Sequence, residues 1–175
     1  LLKITGPAIL MTHSQAGPFG WLLADDQPEL VKGIVALEPS GPPFSNDITN
    51  ATVKKYGIAD LPMHFDPPVA DKNELSVELL KAPEEDLNDG WVMKAPYHKL
   101  PALQGIPILL MVSESSYHAG YDHLTSKVLE QAGVAHDFVR LENIGIHGNG
   151  HMMMLEKNNL EIAKWIAGWL EKRGE

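Results

Sequence analysis

The 175-residue chain contains no cysteine, which excludes disulfide bonds and cysteine-based metal sites but does not place the protein in a compartment. Basic residues are also scarce: 14 lysines and arginines stand against 23 acidic residues, for a formal net charge of −9. That charge repels a nucleic-acid backbone or an anionic membrane surface, so we expect neither as a partner. No apolar run approaches the roughly 20 residues of a membrane-spanning helix, and no membrane span is predicted.

The rest of the composition, 44% hydrophobic and 21% charged, is typical of an ordinary globular protein with room for one domain. No glycine-rich phosphate loop of useful specificity occurs, and we expect no cofactor. The chain starts with Leu1 rather than methionine, and no signal-like segment precedes its first apolar run. These features lead us to expect a chain that begins in mid-protein.

Short apolar runs alternate with helix-like segments along much of the chain. The predicted strands cover residues 8–12, 33–37, 106–112 and 137–141, and the predicted helices cover residues 18–31, 121–132 and 159–172. Strands that alternate with helices indicate an α/β fold with a parallel sheet. The unbroken apolar run of residues 8–12 is of the kind that is buried on both faces of such a sheet. In the last helix, the residues expected to be buried are Leu160, Ile162, Ala163, Trp165, Ile166 and Leu170.

Residues 39–104 interrupt this alternation, because most of the prolines lie there and the apolar periodicity is lost. A segment of this length between core elements is too long for a plain loop and is more typical of a functional lid or cap. We therefore predict a core formed by residues 1–38 and 105–175. Residues 39–104 are predicted to be a lid insertion with irregular short helices over a site.

Ser14 lies where the first predicted strand passes into a helix, within the sequence Thr-His-Ser-Gln-Ala-Gly. Small residues, Thr12 and Ala16, stand two positions before and after it, as a sharp strand-to-helix turn requires. Such a turn exposes the serine and directs the next N–H, that of Gln15, toward a developing oxyanion. The pattern lacks the usual first glycine, and a structural serine in a glycine-containing turn is the alternative.

Acidic residues and histidines follow the other predicted strands. The carboxyl ends of parallel strands share one edge of a sheet, which brings Ser14, Glu38, Glu114, His147 and His151 to the same region. The chain order serine, acid, histidine is that of α/β-hydrolases, so the sequence predicts a serine hydrolase. Two alternatives stay open at this point: Glu114 in place of Glu38 as the acid, and His147 in place of His151 as the base.

Three motifs carry a family resemblance: Thr-His-Ser-Gln-Ala-Gly, Ala-Leu-Glu-Pro-Ser-Gly and Gly-Asn-Gly-His-Met-Met-Met-Leu-Glu-Lys-Asn-Asn. The chain resembles the C-terminal half of a group of bacterial α/β-hydrolase-fold esterases whose triad acid is a Glu after the strand that follows the nucleophile. The resemblance implies Ser14 as nucleophile, Glu38 as acid and His151 as base. It also implies that the N-terminal half of the fold comes from another chain or a missing segment.

The predicted function is hydrolysis of small-molecule carboxylic esters through an acyl-enzyme, on a Ser14-His151-Glu38 triad with Gln15 in the oxyanion hole. An acyltransferase or lactonase on the same triad and a non-catalytic binding module of the same fold are the alternatives.

His118, Asp122 and His123 have a spacing that suggests a metal site, but no fourth ligand accompanies them and we expect no metal there. His13 either lines the pocket or has a structural role. The three methionines that follow His151 are expected to pack inward.

Overall fold

The computed structural model describes residues 1–45 and 54–174; residues 46–53 of the predicted lid lie outside the described part. Its strands are β1 (Ala8–Ser14), β2 (Val31–Pro39), β3 (Val77–Leu80), β4 (Gly90–Met93), β5 (Ile108–Val112) and β6 (Asp137–Arg140). Its α-helices are α1 (Leu2–Thr5), α2 (Gly17–Asp26), α3 (Asp122–Gln131) and α4 (Asn159–Glu171). Single 3₁₀ turns occupy Pro28–Leu30, Lys72–Glu74, Pro101–Leu103, Leu141–Ile144 and Met153–Leu155. Within the described ranges, no helix is both long and apolar enough to cross a membrane.

The main sheet has the strand order β1-β2-β5-β6, and all three pairings are parallel. The four predicted strands are therefore present and run in one direction. Their carboxyl ends meet at one edge of the sheet, where the loops that carry the candidate residues leave the strands. β3 and β4 form a separate antiparallel hairpin.

Two cores enclose the central strands, because successive side chains of a strand point to opposite faces. Trp21 of α2 and Leu124 of α3 are fully or almost fully buried in the first core. Ile162 and Ile166 of α4 lie in the second core, on the other face. The strand residues that they cover are Ile34, Ala36, Ile108 and Leu110 on the first face and Val35, Leu37, Leu109 and Met111 on the second. Burial of such side chains contributes about 1.5–3 kcal/mol each, so these helices hold the sheet edge firmly in place.

Two helix predictions need correction. The helix predicted over residues 18–31 ends at Asp26, because Pro28 has no N–H to continue it and disfavours a helical residue before it. In α4 the expected inward positions of Leu160 and Ala163 are wrong, since Leu160 is 79% exposed and Ala163 is exposed as well. Trp169, which was not among the residues predicted for the buried face of this helix, lies in the second core.

The first strand and the methionine run are also less buried than predicted. β1 is half-buried rather than covered on both faces, and its Met11 is 59% exposed. Of the three methionines after His151, Met153 alone is buried, while Met152 and Met154 are exposed. Met11 and Met154 line the same cavity between β1 and α4, and β1 is an edge strand of the described sheet.

The described part of the predicted lid, 39–45 and 54–104, contains the β3-β4 hairpin and two 3₁₀ turns. The short helical pieces were predicted, but the hairpin was not. Phe65, Val92 and Met93 from this segment are buried in the first core beside α2 and α3. The segment thus adds to the packing of one sheet face, and its function as a lid stays a prediction.

Candidate active site

Ser14 ends β1 with a backbone φ of 55°, a left-handed conformation that non-glycine residues seldom adopt. The pairing with β2 shifts register between His13 and Ser14, and the Ser40 N–H donates to the Ser14 carbonyl oxygen at 2.8 Å. Strain of this kind costs roughly 1–3 kcal/mol and occurs preferentially at functional sites. The predicted sharp strand-to-helix turn is therefore present, and Ser14 is at its apex.

Gly17, at the start of α2, lies directly against the end of β2. A Cβ atom added to Gly17 would stand 2.3 Å from Pro39 Cβ and 2.6 Å from Pro39 Cα. Only glycine permits this approach of the helix to the strand end. The contact brings the turn that carries Ser14 next to Glu38, whose φ of 45° is also left-handed.

Ser14, His151 and Glu38 form a continuous chain of hydrogen bonds. Ser14 Oγ lies 2.9 Å from His151 Nε2, and His151 Nδ1 lies 2.5 Å from Glu38 Oε2. Because the carboxylate faces Nδ1, that nitrogen carries the proton and donates, which leaves Nε2 as the acceptor for the serine hydroxyl. A base with this tautomer can remove the proton of Ser14.

The Glu38 carboxylate is completely buried and has further donors besides His151. The Ser113 N–H donates to Oε1 at 2.9 Å, and the Ser116 hydroxyl donates to Oε2 at 2.6 Å. A buried carboxylate is tolerated when its oxygens are hydrogen-bonded. The loop after β5, which supplies both donors, thus holds the acid in position.

Glu114 and His147, the alternative acid and base, pair with each other away from Ser14. His147 Nδ1 lies 3.2 Å from Glu114 Oε1, and the Gly148 N–H donates to Glu114 Oε2 at 2.7 Å. The Gly148 hydrogen bond and then the His147 contact lower the pKa of Glu114. This exposed pair connects the β5 loop to the loop that carries His151.

An amide pair anchors the loop before His151. Asn149 is buried, and its side-chain N–H donates to Asn158 Oδ1 at 2.7 Å while that of Asn158 donates to Asn149 Oδ1 at 2.9 Å. The Ser115 N–H donates to the Asn149 carbonyl oxygen at 2.9 Å. Two asparagines of the last family-like motif therefore fix the loop whose next residues are Gly150 and His151.

Three aromatic rings surround the His151 imidazole. The His118 ring is stacked on it, with centroids 4.8 Å apart and planes 3° apart, and the His13 and Tyr117 rings lie at 4.5 and 4.8 Å. His13 Nε2 lies 2.9 Å from the His151 carbonyl oxygen, a hydrogen bond that fits the structural role considered for His13. The imidazole of His151 is held by contacts on several sides.

The pair His118 and Asp122 is buried beside His151. His118 Nδ1 lies 3.0 Å from Asp122 Oδ1, with the two side chains 1% and 0% exposed. Burial lowers the pKa of His118 to about 4 and raises the pKa of Asp122 well above its usual range. Both shifts favour uncharged forms, so no second positive charge opposes the formation of an imidazolium at His151.

The structure explains His118, Asp122 and His123, whose spacing suggested a metal site, by interactions other than metal binding. His118 and Asp122 pair with each other. His123 lies near Arg140 and several acids, and its pKa is lowered first by burial and then by the positive charge of Arg140. His13, Glu38 and His151 do place potential ligand atoms within 4.8 Å of one another. Both ring nitrogens of His151 already take part in hydrogen bonds, and a hydrogen-bond network accounts for this set.

The Gln15 N–H has no acceptor among the described residues, so it is available to a ligand at the turn. Tyr117, Ser116 and Asn149 also belong to this site, although the sequence did not single them out. A serine, a tyrosine and a histidine in succession after a buried strand were a weak signal. These residues belong to the site only because the loop after β5 contacts Glu38 and the loop that carries His151.

Comparisons with known proteins agree with this architecture. The chain is 42% identical over 175 residues to the probable secreted lipase phiG of a fungal species (strain ATCC 74256), covering 99% of the chain and 48% of the lipase. A solved structure described as a novel bacterial esterase superposes with a TM-score of 0.55 at 20% identity, covering 95% of the chain and 38% of the esterase. No family model matches the chain. The chain spans about half the length of the curated relative that it matches, and its fold is the C-terminal portion of an α/β-hydrolase fold.

Proposed function

We propose that this chain carries the active site of a serine hydrolase that acts on carboxylic esters. Ser14 is the nucleophile, His151 the base and Glu38 the acid that orients His151. The proposal is supported above all by the hydrogen-bonded chain from Ser14 Oγ through His151 to Glu38. The 42% identity to a protein named as a probable lipase supports an ester as the substrate class.

In the proposed reaction, Ser14 Oγ attacks the ester carbonyl carbon while its proton passes to His151 Nε2. The Glu38 carboxylate stabilises the imidazolium, and the Gln15 N–H donates to the oxyanion. When the tetrahedral intermediate collapses, the bond to the leaving alcohol oxygen breaks and that oxygen takes the proton from Nε2. Water then attacks the acyl-serine by the same route and releases the carboxylic acid.

A fluorophosphonate probe tests this function on the full-length protein. We expect one covalent adduct, located on Ser14 by peptide mapping, together with hydrolysis of p-nitrophenyl butyrate. A folded protein that reacts with neither reagent would support the non-catalytic binding module instead. Product analysis separates the enzymatic alternatives: transfer of the acyl group to an added alcohol in excess of acid release indicates an acyltransferase, and turnover confined to cyclic esters indicates a lactonase.

We also propose that residues 39–104 form an insertion that bounds the substrate pocket. Support comes from its first residues, since the Ser40 N–H donates to Ser14 and Gly41 packs against Tyr121 close to the site. Exchange of residues 39–104 for the matching segment of the lipase relative should change the preferred acyl-chain length. Fluorophosphonate labelling should keep its rate; an unchanged chain-length preference would contradict the proposed pocket role.

The N-terminal portion of the fold is proposed as the partner of β1. In the described residues β1 pairs with β2 alone, and the exposed Met11 borders an apolar cavity of about 250 Å³ between β1 and α4. Buried backbone groups that stay unpaired cost about 1–3 kcal/mol each, so a further strand on this edge would stabilise the sheet. Such a segment, from the same or another polypeptide, is also where we place the second oxyanion donor.

Expression of residues 1–175 by themselves tests this partner. We expect aggregation or failure to react with the fluorophosphonate, and recovery of labelling when the chain is produced within the full-length protein. A monodisperse 1–175 that is labelled on Ser14 would reject the partner. The second oxyanion donor would then have to be sought within residues 39–104.

A further inference from the structure

Tyr117 places a second hydroxyl group at the atom of His151 that exchanges protons. Its phenol oxygen lies 3.3 Å from His151 Nε2, the same nitrogen that Ser14 Oγ approaches at 2.9 Å. The residue is 64% exposed and its contact with His151 is open to solvent, so a substrate can reach this side of the imidazole. Neutral His151 has one lone pair at Nε2, which the two hydroxyl groups cannot both occupy.

This arrangement matters after the serine has transferred its proton. The proton on Nε2 then points to the oxygen of the leaving alcohol, which must lie about 3 Å from Nε2 to receive it. A hydroxyl 3.3 Å from Nε2 on the exposed side is in reach of the same oxygen. Tyr117 is therefore on the leaving-group side of the site, whereas the Gln15 N–H belongs to the turn that faces the oxyanion.

We propose that Tyr117 is a catalytic residue whose O–H donates a hydrogen bond to the leaving-group oxygen as its bond to the acyl carbon breaks. The inference rests on the proposed ester hydrolase function. The electron pair of the broken bond stays on the leaving oxygen, which takes its proton from His151 Nε2. Tyr117 keeps its own proton throughout, and in deacylation the attacking water occupies the position of the leaving alcohol.

The protonation state of Tyr117 agrees with a donor role. Burial raises the pKa of this phenol above its ordinary value of about 10, opposed by a hydrogen bond with the Ser14 side chain. The phenol thus stays protonated across the neutral range. A hydrogen bond to a developing alkoxide contributes about 1.5–3 kcal/mol, which corresponds to a rate effect of roughly 10- to 100-fold.

The test compares two esters with the same acyl group on the full-length Tyr117→Phe variant. For ethyl butyrate, whose leaving alkoxide is strongly basic, kcat/KM should fall roughly 10- to 100-fold. For p-nitrophenyl butyrate, whose leaving phenolate needs little stabilisation, it should fall less than about threefold. Because both esters are assayed on one preparation, the ratio of the two values does not depend on the folded fraction.

Tyr121→Phe is the matched control, since this tyrosine is buried in the same segment and has no hydrogen bond to Ser14 or His151 among the described contacts. It should leave the ratio unchanged. Equal losses for both esters in Tyr117→Phe, or no loss for either, would overturn the inference. Fluorophosphonate labelling of the parent protein separates failure of the proposed hydrolase function from failure of the proposed Tyr117 role. An unlabelled parent refutes the hydrolase function. A labelled parent with an unchanged ester ratio in the variant refutes only the role of Tyr117.

Discussion

The Glu38 carboxylate lies 2.5 Å from Nδ1 of His151, a residue 113 positions further along the chain. Two parallel strands and the loop after β6 bring these side chains together at one edge of the sheet. Glu38 is buried and accepts hydrogen bonds from Ser113 and Ser116 as well, so the orientation of its carboxylate is fixed. A carboxylate in this position sets the tautomer of the imidazole and stabilises its charged form.

The first prediction concerns the nucleophile. Ser14→Ala should abolish fluorophosphonate labelling and reduce ester hydrolysis to below about one part in 10⁴ of the parent, given the usual effect of removing a triad member. The fold should stay intact, because the change removes one hydroxyl at the apex of a turn. Circular dichroism provides the folding control, and residual turnover above that limit would show that another group is the nucleophile.

The second prediction separates the two acids. Glu38→Gln should lower kcat by about 10³- to 10⁴-fold, because a neutral amide no longer stabilises the imidazolium or fixes its tautomer. Glu114→Gln is the matched control and should cost less than about tenfold, since its amide oxygen can still accept from the Gly148 N–H. Steady-state kinetics on one alkyl ester measures both. Similar losses in the two variants would contradict the assignment of the acid.

The third prediction concerns the close approach of α2 to β2. Gly17→Ala should lower the free energy of unfolding by about 1–3 kcal/mol, because its Cβ would overlap Pro39. It should also reduce kcat, since a shift of the turn moves Ser14 relative to His151. Gly168→Ala in α4 is the control: no atom lies within 4 Å of its added Cβ, and a gain of about 0.5–1 kcal/mol is expected. Urea unfolding measures both changes, and equal stability of Gly17→Ala and the parent would refute the contact.

The fourth prediction follows from the low pKa of His118. The unfolded chain binds a proton there below about pH 6.5, while burial keeps the folded residue neutral down to about pH 4. Protonation thus favours unfolding: the contribution of His118 is fully present above about pH 6.5 and is lost as the pH falls toward 4. Asp122, whose pKa is raised, contributes in the opposite sense, with stability lost as the pH rises.

His118→Gln removes the titrating imidazole, while Asp122 is present in both proteins and a glutamine amide can still donate to it. Between pH 7 and pH 5, the free energy of unfolding of the parent should decrease by about 2 kcal/mol relative to that of the variant. Urea titrations at the two pH values measure the difference. A constant difference would mean that folding does not lower the pKa of His118, and hence that at pH 5 a charged ring is stacked on His151.

The sequence by itself determined the alternation of strands and helices, because apolar periodicity and chain breakers such as Pro28 act locally. It also pointed to the small residues around Ser14, the acid that follows β2 and the glycine-rich histidine loop, since these depend on turn chemistry and on the shared edge of parallel strands. The end of α2 was predicted wrongly even though Pro28 is a local signal, whereas the exposure of Leu160, Ala163 and Met11 was predicted wrongly because it depends on tertiary contacts. Local patterns carry no information about which side of an element another segment covers.

Only the tertiary structure showed which carboxylate and which histidine lie next to Ser14. Glu38 and Glu114 both follow buried strands, and only the paths of the loops after β5 and β6 bring one to His151 and the other to His147. The same loops place Tyr117 at Nε2 of His151. Such contacts join residues that are far apart in sequence, and their distances depend on strand order and loop packing, which no local pattern records.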